Sequence, residues 1–279
     1  MHQPGAHFAE FLGALGVDVG HHVMVHSSLR RLRAAFPGLN AQDFIRVLQR
    51  KVGQRGSVLM PAFTYCFKRL DSRGEVFDPQ STPSKVGALS EVFRTMPGVV
   101  RTLSATHSFC LWGQAARETA ADNAPASPLG EGSVLEWLAR QDHASVLLLA
   151  TDFSALSFCH YLEVKAPVPW VAIFPWHYMG VLPIGVSTTG EQPLREVPGC
   201  SKGFLAFEEH LLQRRLVQRV TRGSFWAYCL GVKLLLDEGV PFFRKFAHRL
   251  LCPPGECPAC DERRKALLDG GALSRSDGA

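Results

Sequence analysis

The apolar run His22-Val23-Met24-Val25-His26 opens the part of the sequence that decides the fold. Short apolar runs followed by turn-forming residues are typical of buried strands, and similar runs recur at residues 57–62 and 145–150. Between them lie helical patterns with apolar residues on one face, at residues 41–52 and 84–94. This alternation of strands and helices predicts an α/β fold in which helices flank a central sheet.

The last third of the chain has a different sequence pattern from the rest. Residues 204–217 and 224–236 carry helical patterns, and an aromatic and basic segment follows at residues 242–249. We therefore predict a helical C-terminal third. A main domain is expected over residues 1–250, with residues 251–279 as a tail that holds a cysteine cluster.

Length, charge and hydropathy narrow the class of protein. The 279 residues include 30 Lys and Arg against 25 Asp and Glu, and the resulting net charge of +5 is small for a nucleic-acid-binding protein. No apolar stretch approaches the roughly 20 residues that a transmembrane helix needs. The N-terminus lacks the pattern of a secretory signal peptide, so we expect a cytoplasmic protein. The sequence leaves the oligomeric state open, a homodimer included.

Two stretches contain residues that could carry chemistry. The first is His26-Ser27-Ser28-Leu29-Arg30, at the end of a predicted strand, where open α/β sheets bind ligands. The second contains His160 and Glu163, whose spacing puts both on one face of a helix. A carboxylate there can orient an imidazole that acts as a general base, and a solvated polar face is the alternative from spacing alone. Cys159 points elsewhere on the helix and is expected in the core.

Cysteines cluster towards the C-terminus. Four of the eight, Cys200, Cys252, Cys257 and Cys260, are candidate ligands of one tetrahedral zinc site. Four thiolates leave no open position for a substrate, so such a zinc ion would be structural. It would connect the tail to the loop that carries Cys200. Free thiols in a reducing compartment are the alternative.

Collinear motifs along most of the chain resemble the antibiotic N-acetyltransferases, whose best-known members are the aminoglycoside 3-N-acetyltransferases. The matching pieces, in family order, are His26 to Arg30, Gly56 to Phe63, Phe77-Asp78-Pro79, Thr82-Pro83-Ser84, Gly87, Glu91 to Arg94, Arg101, Thr106-His107-Ser108, Gly130 to Ser133, Leu147 to Leu149, and His160 with Glu163. The resemblance implies an α/β fold distinct from that of the GNAT acetyltransferases. It also implies acetyl-CoA as the acyl donor and an amine as the acceptor.

The resemblance assigns roles to particular residues. His160 would be the general base, with Glu163 holding or polarising its ring. The residues expected near the bound acetyl-CoA are His26, Ser27, Ser28, Arg30 and Ser108. Hydroxyls or backbone amides around Ser27 and Ser108 would stabilise the tetrahedral oxyanion.

Departures from the family pattern bear on the acceptor. Ser154 stands where many members carry an aspartate six residues before the histidine, and Asp152 is the nearest acid. Because a positive net charge repels polycations, we predict an amino sugar or similar amine-bearing metabolite, with or without a phosphate, as the acceptor. True aminoglycoside acetylation is the alternative, and it needs acids gathered around one cleft. A non-catalytic binding protein with the same fold is a second alternative.

Overall fold

The computed structural model describes residues 5–119, 123–174, 176–195 and 198–269. The α-helices in this part of the chain are α1 (Ala6–Ala14), α2 (Leu29–Ala35), α3 (Ala41–Val52), α4 (Ala88–Arg94), α5 (Gln114–Glu118), α6 (Val134–Ala139), α7 (Phe158–Lys165), α8 (Leu205–Gln213), α9 (Val232–Lys245) and α10 (Pro258–Asp269). The strands are β1 (His22–Ser27), β2 (Ser57–Pro61), β3 (Phe67–Arg69), β4 (Val100–Arg101), β5 (Phe109–Gly113), β6 (Ala144–Leu149), β7 (Val181–Ser187), β8 (Gly190–Pro193), β9 (Val220–Arg222) and β10 (Phe225–Gly231). Short 3₁₀ helices span Phe153–Ala155, His177–Met179, Lys202–Phe204 and Ala247–Leu250.

Strand order fixes where a ligand can bind. Within the described residues the main sheet has seven strands, in the order β4-β5-β2-β1-β6-β10-β9. Strand β1 lies at its centre and pairs in parallel with β2 and β6, whereas the outer pairs are antiparallel. Because parallel strands end at the same edge, the segments that follow Ser27, Pro61 and Leu149 emerge side by side. That edge is where open α/β sheets bind ligands.

Both faces of the sheet are buried, which explains the continuous apolar runs in the central strands. Along β6, Val146 and Leu148 belong to one core, while Leu147 and Leu149 belong to the other. Side chains alternate between the two faces of a strand, so one strand supplies both cores. The second sheet, with the order β3-β7-β8, is antiparallel.

The predicted strands and the helix at residues 41–52 are confirmed. Asn40 and Asp43 close a reciprocal capping box at the start of α3, each side chain accepting the other's backbone N–H at 3.0 Å. The helix predicted from residue 84 begins only at Ala88. Gly87, immediately before it, has a φ of 116°, which a helix cannot contain.

The helix predicted over residues 224–236 is wrong for its first half. Residues 225–231 form β10, which pairs antiparallel with β6, and α9 begins at Val232. Pairing with β10 satisfies backbone groups of β6 that would otherwise be buried without partners, and this demand overrides the local helical spacing. The helix predicted over residues 204–217 ends at Gln213, shortly before Arg215 with its positive φ of 56°. From residue 204 onward, helices predominate outside β9 and β10, as predicted.

The described part of the predicted tail, residues 251–269, packs against the rest of the molecule. Leu267 on α10 belongs to the same hydrophobic core as Leu162 on α7 and Phe243 on α9. Residues 270–279 of the tail lie outside the described residues. Among the described helices, none is both long enough and apolar enough to cross a membrane.

Candidate active site

A cavity of about 770 Å³ opens where the three parallel strands end. Its wall includes His26 and Ser27 at the end of β1, Phe63 after β2, and Thr151 after β6. Helix α7 contributes His160, and the segment 198–202 also lines the cavity. The volume falls in the range of small-molecule sites.

The turns that leave β2 and β6 are strained. Tyr65 has a φ of 54° and Ala150 a φ of 56°, values that residues other than glycine rarely adopt. Tyr65 lines the cavity, and Ala150 directly precedes Thr151, which also lines it. Strain of this kind concentrates at functional sites.

His160 lines the cavity and pairs with the buried Glu163 behind it. Nδ1 of His160 lies 2.7 Å from Oε2 of Glu163, one turn later on α7. The two side chains are 11% and 6% exposed. An ionised carboxylate only accepts hydrogen bonds, so Nδ1 donates and the lone pair remains on Nε2. The contact expected from the spacing of these residues is present.

Three groups hold the Glu163 carboxylate. Besides His160, Nε1 of Trp170 donates to Oε1 at 3.1 Å, and a terminal nitrogen of Arg263 lies 3.7 Å from the same oxygen. Burial alone would raise the pKa of Glu163, but the hydrogen bond and charge of His160, helped by Arg263 and Trp170, lower that pKa below its usual value. Glu163 is therefore ionised at neutral pH and available to His160. Arg263 is on α10, and nothing in its sequence neighbourhood signals this contact.

Two further histidines line the cavity in neutral form. Burial lowers the pKa of both His26 and His107 to about 3. Nε2 of His26 is buried without a hydrogen-bond partner among the described residues. The His107 ring packs edge-on against Phe63, at 4.8 Å between centroids. The sequence motif pointed to Ser108, but its neighbour His107 is the residue that lines the cavity. Neighbouring side chains along an extended segment point in opposite directions, and this alternation was the available signal.

Ser108 does not line this cavity, and its expected place at the thioester stays a prediction. Its hydroxyl is fully buried, donates to the carbonyl oxygen of Ala62 at 2.8 Å and accepts from Nε of Arg101 at 3.1 Å. Arg101 also donates to the carbonyl oxygens of Thr82 at 2.5 Å and Ala62 at 2.8 Å. Ser108 and Arg101 therefore support the wall of the cavity through buried hydrogen bonds, without facing the cavity themselves.

Of the other residues expected near acetyl-CoA, His26 and Ser27 line the cavity, whereas Ser28 and Arg30 do not. Ser28 occupies the N-cap of α2, and its backbone N–H donates to the carbonyl oxygen of Leu149 at 3.0 Å. Arg30 is exposed on α2. Their expected contact with the donor is not supported by the shape of this cavity.

Charge in the cavity wall is positive. Arg69, Lys85 and Lys202 line it, and no aspartate or glutamate does so among the residues described. Ser154 lines the cavity where the family pattern has an acid, while Asp152 caps the following 3₁₀ turn by accepting from the Ser154 N–H at 3.0 Å. Basic side chains in the wall attract anionic groups such as phosphates, although Asp71 and Glu75, outside the lining, pair with Arg69 and Lys85 and reduce that attraction.

The four cysteines expected to bind a metal come together beside this cavity. Their sulfur atoms all lie within 4.8 Å of one another, and Cys200 lines the cavity. The remaining cysteines include Cys159, which is fully buried as expected, and burial raises the pKa of its thiol. Cys159 is therefore unsuited to act as a nucleophile.

Known proteins are similar to this chain in fold and in part of its sequence. A family model described as aminoglycoside 3-N-acetyltransferase matches residues 24–244. Aminoglycoside N(3)-acetyltransferase III from Salmonella sp is 28% identical over 179 residues, which cover 58% of this chain and 62% of that protein. The match thus spans less than two thirds of that relative's length.

Solved structures give the same result for the fold. The apoenzyme of aminoglycoside acetyltransferase AAC(3)-IVa matches with a TM-score of 0.78 and 24% identity, over 94% of this chain and 96% of that one. The binary complex of AAC-IIIb with CoASH matches with a TM-score of 0.69 and 23% identity, over 85% of this chain and 95% of that one. Since the family model covers residues 24–244, most of the chain, the chain belongs to the aminoglycoside 3-N-acetyltransferase family.

Proposed function

We propose that this protein transfers the acetyl group of acetyl-CoA to an amine of an amino sugar, with His160 as the general base. The observation that carries the proposal is the 2.7 Å contact between His160, which lines the cavity, and the buried Glu163. Family membership and the CoA named for AAC-IIIb support the choice of acyl donor. Because acetyl-CoA is a cytoplasmic metabolite, the reaction would take place in the cytoplasm.

The chemistry follows from the free ring nitrogen. An amine attacks a thioester carbonyl only through an unprotonated lone pair, and Nε2 of His160 accepts the proton that the amine must lose. The new C–N bond forms a tetrahedral intermediate, and its collapse breaks the C–S bond. The CoA thiolate then takes the proton, either from the imidazolium or from water, so that the products are the amide and free CoA.

Glu163 acts through the histidine. Its carboxylate keeps the proton of the neutral ring on Nδ1 and stabilises the imidazolium that forms during attack. The basic residues Arg69, Lys85 and Lys202 suit the phosphates of CoA, and Ser27 is the remaining candidate among the predicted hydroxyls for contact with the oxyanion.

Two acceptor classes deserve a direct comparison. The names of the relatives favour an aminoglycoside over the phosphorylated amino sugar that net charge suggested. The described cavity wall, which has basic residues and no acid, favours an amine with less positive charge. A panel containing an aminoglycoside, a neutral sugar with one amine and a phosphorylated amino sugar separates the two through kcat/KM.

The test of the reaction is release of free thiol from acetyl-CoA in the presence of each amine. His160→Ala should lower kcat by about 10²- to 10⁴-fold and leave CoA binding nearly unchanged. His143→Ala is the matched control, because His143 is exposed and stacks on His21 away from the cavity. Near wild-type turnover in His160→Ala contradicts the assigned base. Tight CoA binding with no turnover on any amine would instead favour a non-catalytic binding protein.

A further inference from the structure

A second group of reactive side chains lies outside the acetyl-transfer machinery. The sulfur atoms of Cys200, Cys252, Cys257 and Cys260 all fall within 4.8 Å of one another, and those of Cys200 and Cys252 are 3.5 Å apart. Tetrahedral zinc with Zn–S bonds of about 2.3 Å places its four sulfurs about 3.8 Å apart. The cluster therefore has the dimensions of a four-thiolate metal site.

Backbone packing brings the distant cysteines together. A side chain at Gly203 would overlap the carbonyl oxygen of Leu250, so only glycine lets the segment after Cys200 approach the segment before Cys252 this closely. Cys257 and Cys260 lie at the start of α10, and the Cys260 N–H donates to the carbonyl oxygen of Cys257 at 3.0 Å. Backbone packing at Gly203 and the backbone hydrogen bond of Cys260 therefore position the cysteines on both sides of the cluster.

Arg264 holds the segment that contains Cys252. It donates to the carbonyl oxygen of Cys252 at 2.6 Å and to Asp261 at 2.8 Å. Two cysteines, Cys252 and Cys260, are buried. A disulfide would need only two sulfurs in contact, whereas here all four converge on one point, which is the requirement of a metal ion.

We propose that Cys200, Cys252, Cys257 and Cys260 bind one structural zinc ion. Four thiolates and one Zn²⁺ carry a net charge of −2, and positive groups surround them. The backbone N–H of Lys202 donates to the Cys200 sulfur at 3.4 Å, the N-terminus of α10 carries the positive end of the helix dipole, and Arg263 interacts electrostatically with Cys260 and Cys200. The coordination shell is complete, so the ion takes no substrate.

The ion joins two elements that shape the cavity. Cys200 belongs to the segment 198–202 in the cavity wall, while α10 carries both Cys260 and Arg263. Arg263 passes beneath Gly199, where an added Cβ would lie 2.5 Å from its guanidinium, and reaches Glu163 at 3.7 Å. Zinc therefore holds the cavity wall and the arginine behind the His160–Glu163 pair in register. Only this last consequence for catalysis rests on the proposed function.

Metal analysis of the full chain, purified without chelators, tests the site directly. We expect about one zinc ion per wild-type chain and a loss of most of it in Cys257→Ser and in Cys200→Ser. Cys229→Ser is the matched control, because Cys229 lies on β10 outside the cluster and should leave zinc content unchanged. Zinc that survives Cys200→Ser overturns the ligand set. A wild-type chain with no zinc and four titratable thiols here, or with a disulfide between Cys200 and Cys252, overturns the site.

Two measurements on the wild-type chain do not depend on whether the variants fold. Replacement of zinc by Co²⁺ should give the thiolate charge-transfer band and the intense visible bands of a tetrahedral cobalt site, and an octahedral spectrum contradicts the proposal. Removal of the metal by a chelator should speed amide hydrogen exchange in residues 199–204 and 258–264 more than in β1. Equal rates of amide hydrogen exchange in these residues with and without the metal would show that the ion does not hold the two segments together. Neither result depends on acetyl transfer, so failure of the zinc site and failure of the proposed function are separable.

Discussion

Replacement of the Glu163 carboxylate by an amide should disable the base while leaving its ring in place. In the wild type, Oε2 accepts from His160, and Oε1 faces Trp170 and Arg263, which can only donate. The amide of Glu163→Gln has one oxygen and one NH₂ group. If the oxygen faces His160, the NH₂ meets two donors; if the oxygen faces the donors, the NH₂ forces Nδ1 to accept and moves the proton to Nε2. The second arrangement removes the lone pair that the amine needs.

The size of the effect follows from these contacts. Leaving buried donors face to face costs about 1–3 kcal/mol, and the lost charged hydrogen bond to the imidazolium costs about 1.5–3 kcal/mol. A barrier raised by about 3–5 kcal/mol corresponds to a fall in kcat of about 10²- to 10⁴-fold. Binding of CoA should change little, because Glu163 does not line the cavity.

Single-turnover thiol release and CoA titration measure the two quantities separately. Glu208→Gln is the matched control: Glu208 is also buried and accepts from Arg219 at 2.8 Å and Tyr228 at 2.7 Å, but it does not touch His160. Both variants should lose stability, since each replaces a buried carboxylate that accepts from several donors, and only Glu163→Gln should lose turnover. A folded Glu163→Gln protein with kcat within about tenfold of wild type refutes the orienting role.

Stability should fall on mild acidification, because His26 and His107 have folded pKa values of about 3 against about 6.5 when unfolded. Between these pH values both histidines are protonated in the unfolded chain and neutral in the folded chain. Each histidine therefore lowers the free energy of unfolding by up to about 1.4 kcal/mol for each pH unit below pH 6.5. A free energy of unfolding, measured with denaturant, that does not change between about pH 7.5 and pH 5 would contradict this. Gly203→Ala should destabilise the fold by more than about 2 kcal/mol, because its Cβ would overlap the carbonyl oxygen of Leu250. Gly231→Ala, with open space around the added carbon, is its control in thermal unfolding. Rising ionic strength should weaken CoA binding if basic residues hold its phosphates, and a salt-independent Kd would point to apolar contacts instead.

The sequence by itself determined the elements whose local signals agree with their surroundings. The central strands are apolar on both faces, α3 has a cap and one apolar face, and these patterns hold in the folded chain. The contact between His160 and Glu163 was also predictable, because a helix places residues three apart on one face whatever the rest of the molecule does.

Tertiary structure decided what depends on distant partners. Residues 225–231 became a strand because β6 needed a partner. Ser108, just before β5, faces Arg101 and the carbonyl oxygen of Ala62 rather than the cavity, because those distant groups meet it there. Arg263 reaches Glu163 across a hundred residues of sequence. Spacing along a chain fixes which side chains share a face, but only packing fixes which faces meet, so the orienting pair was visible in the sequence and the groups that hold it were not.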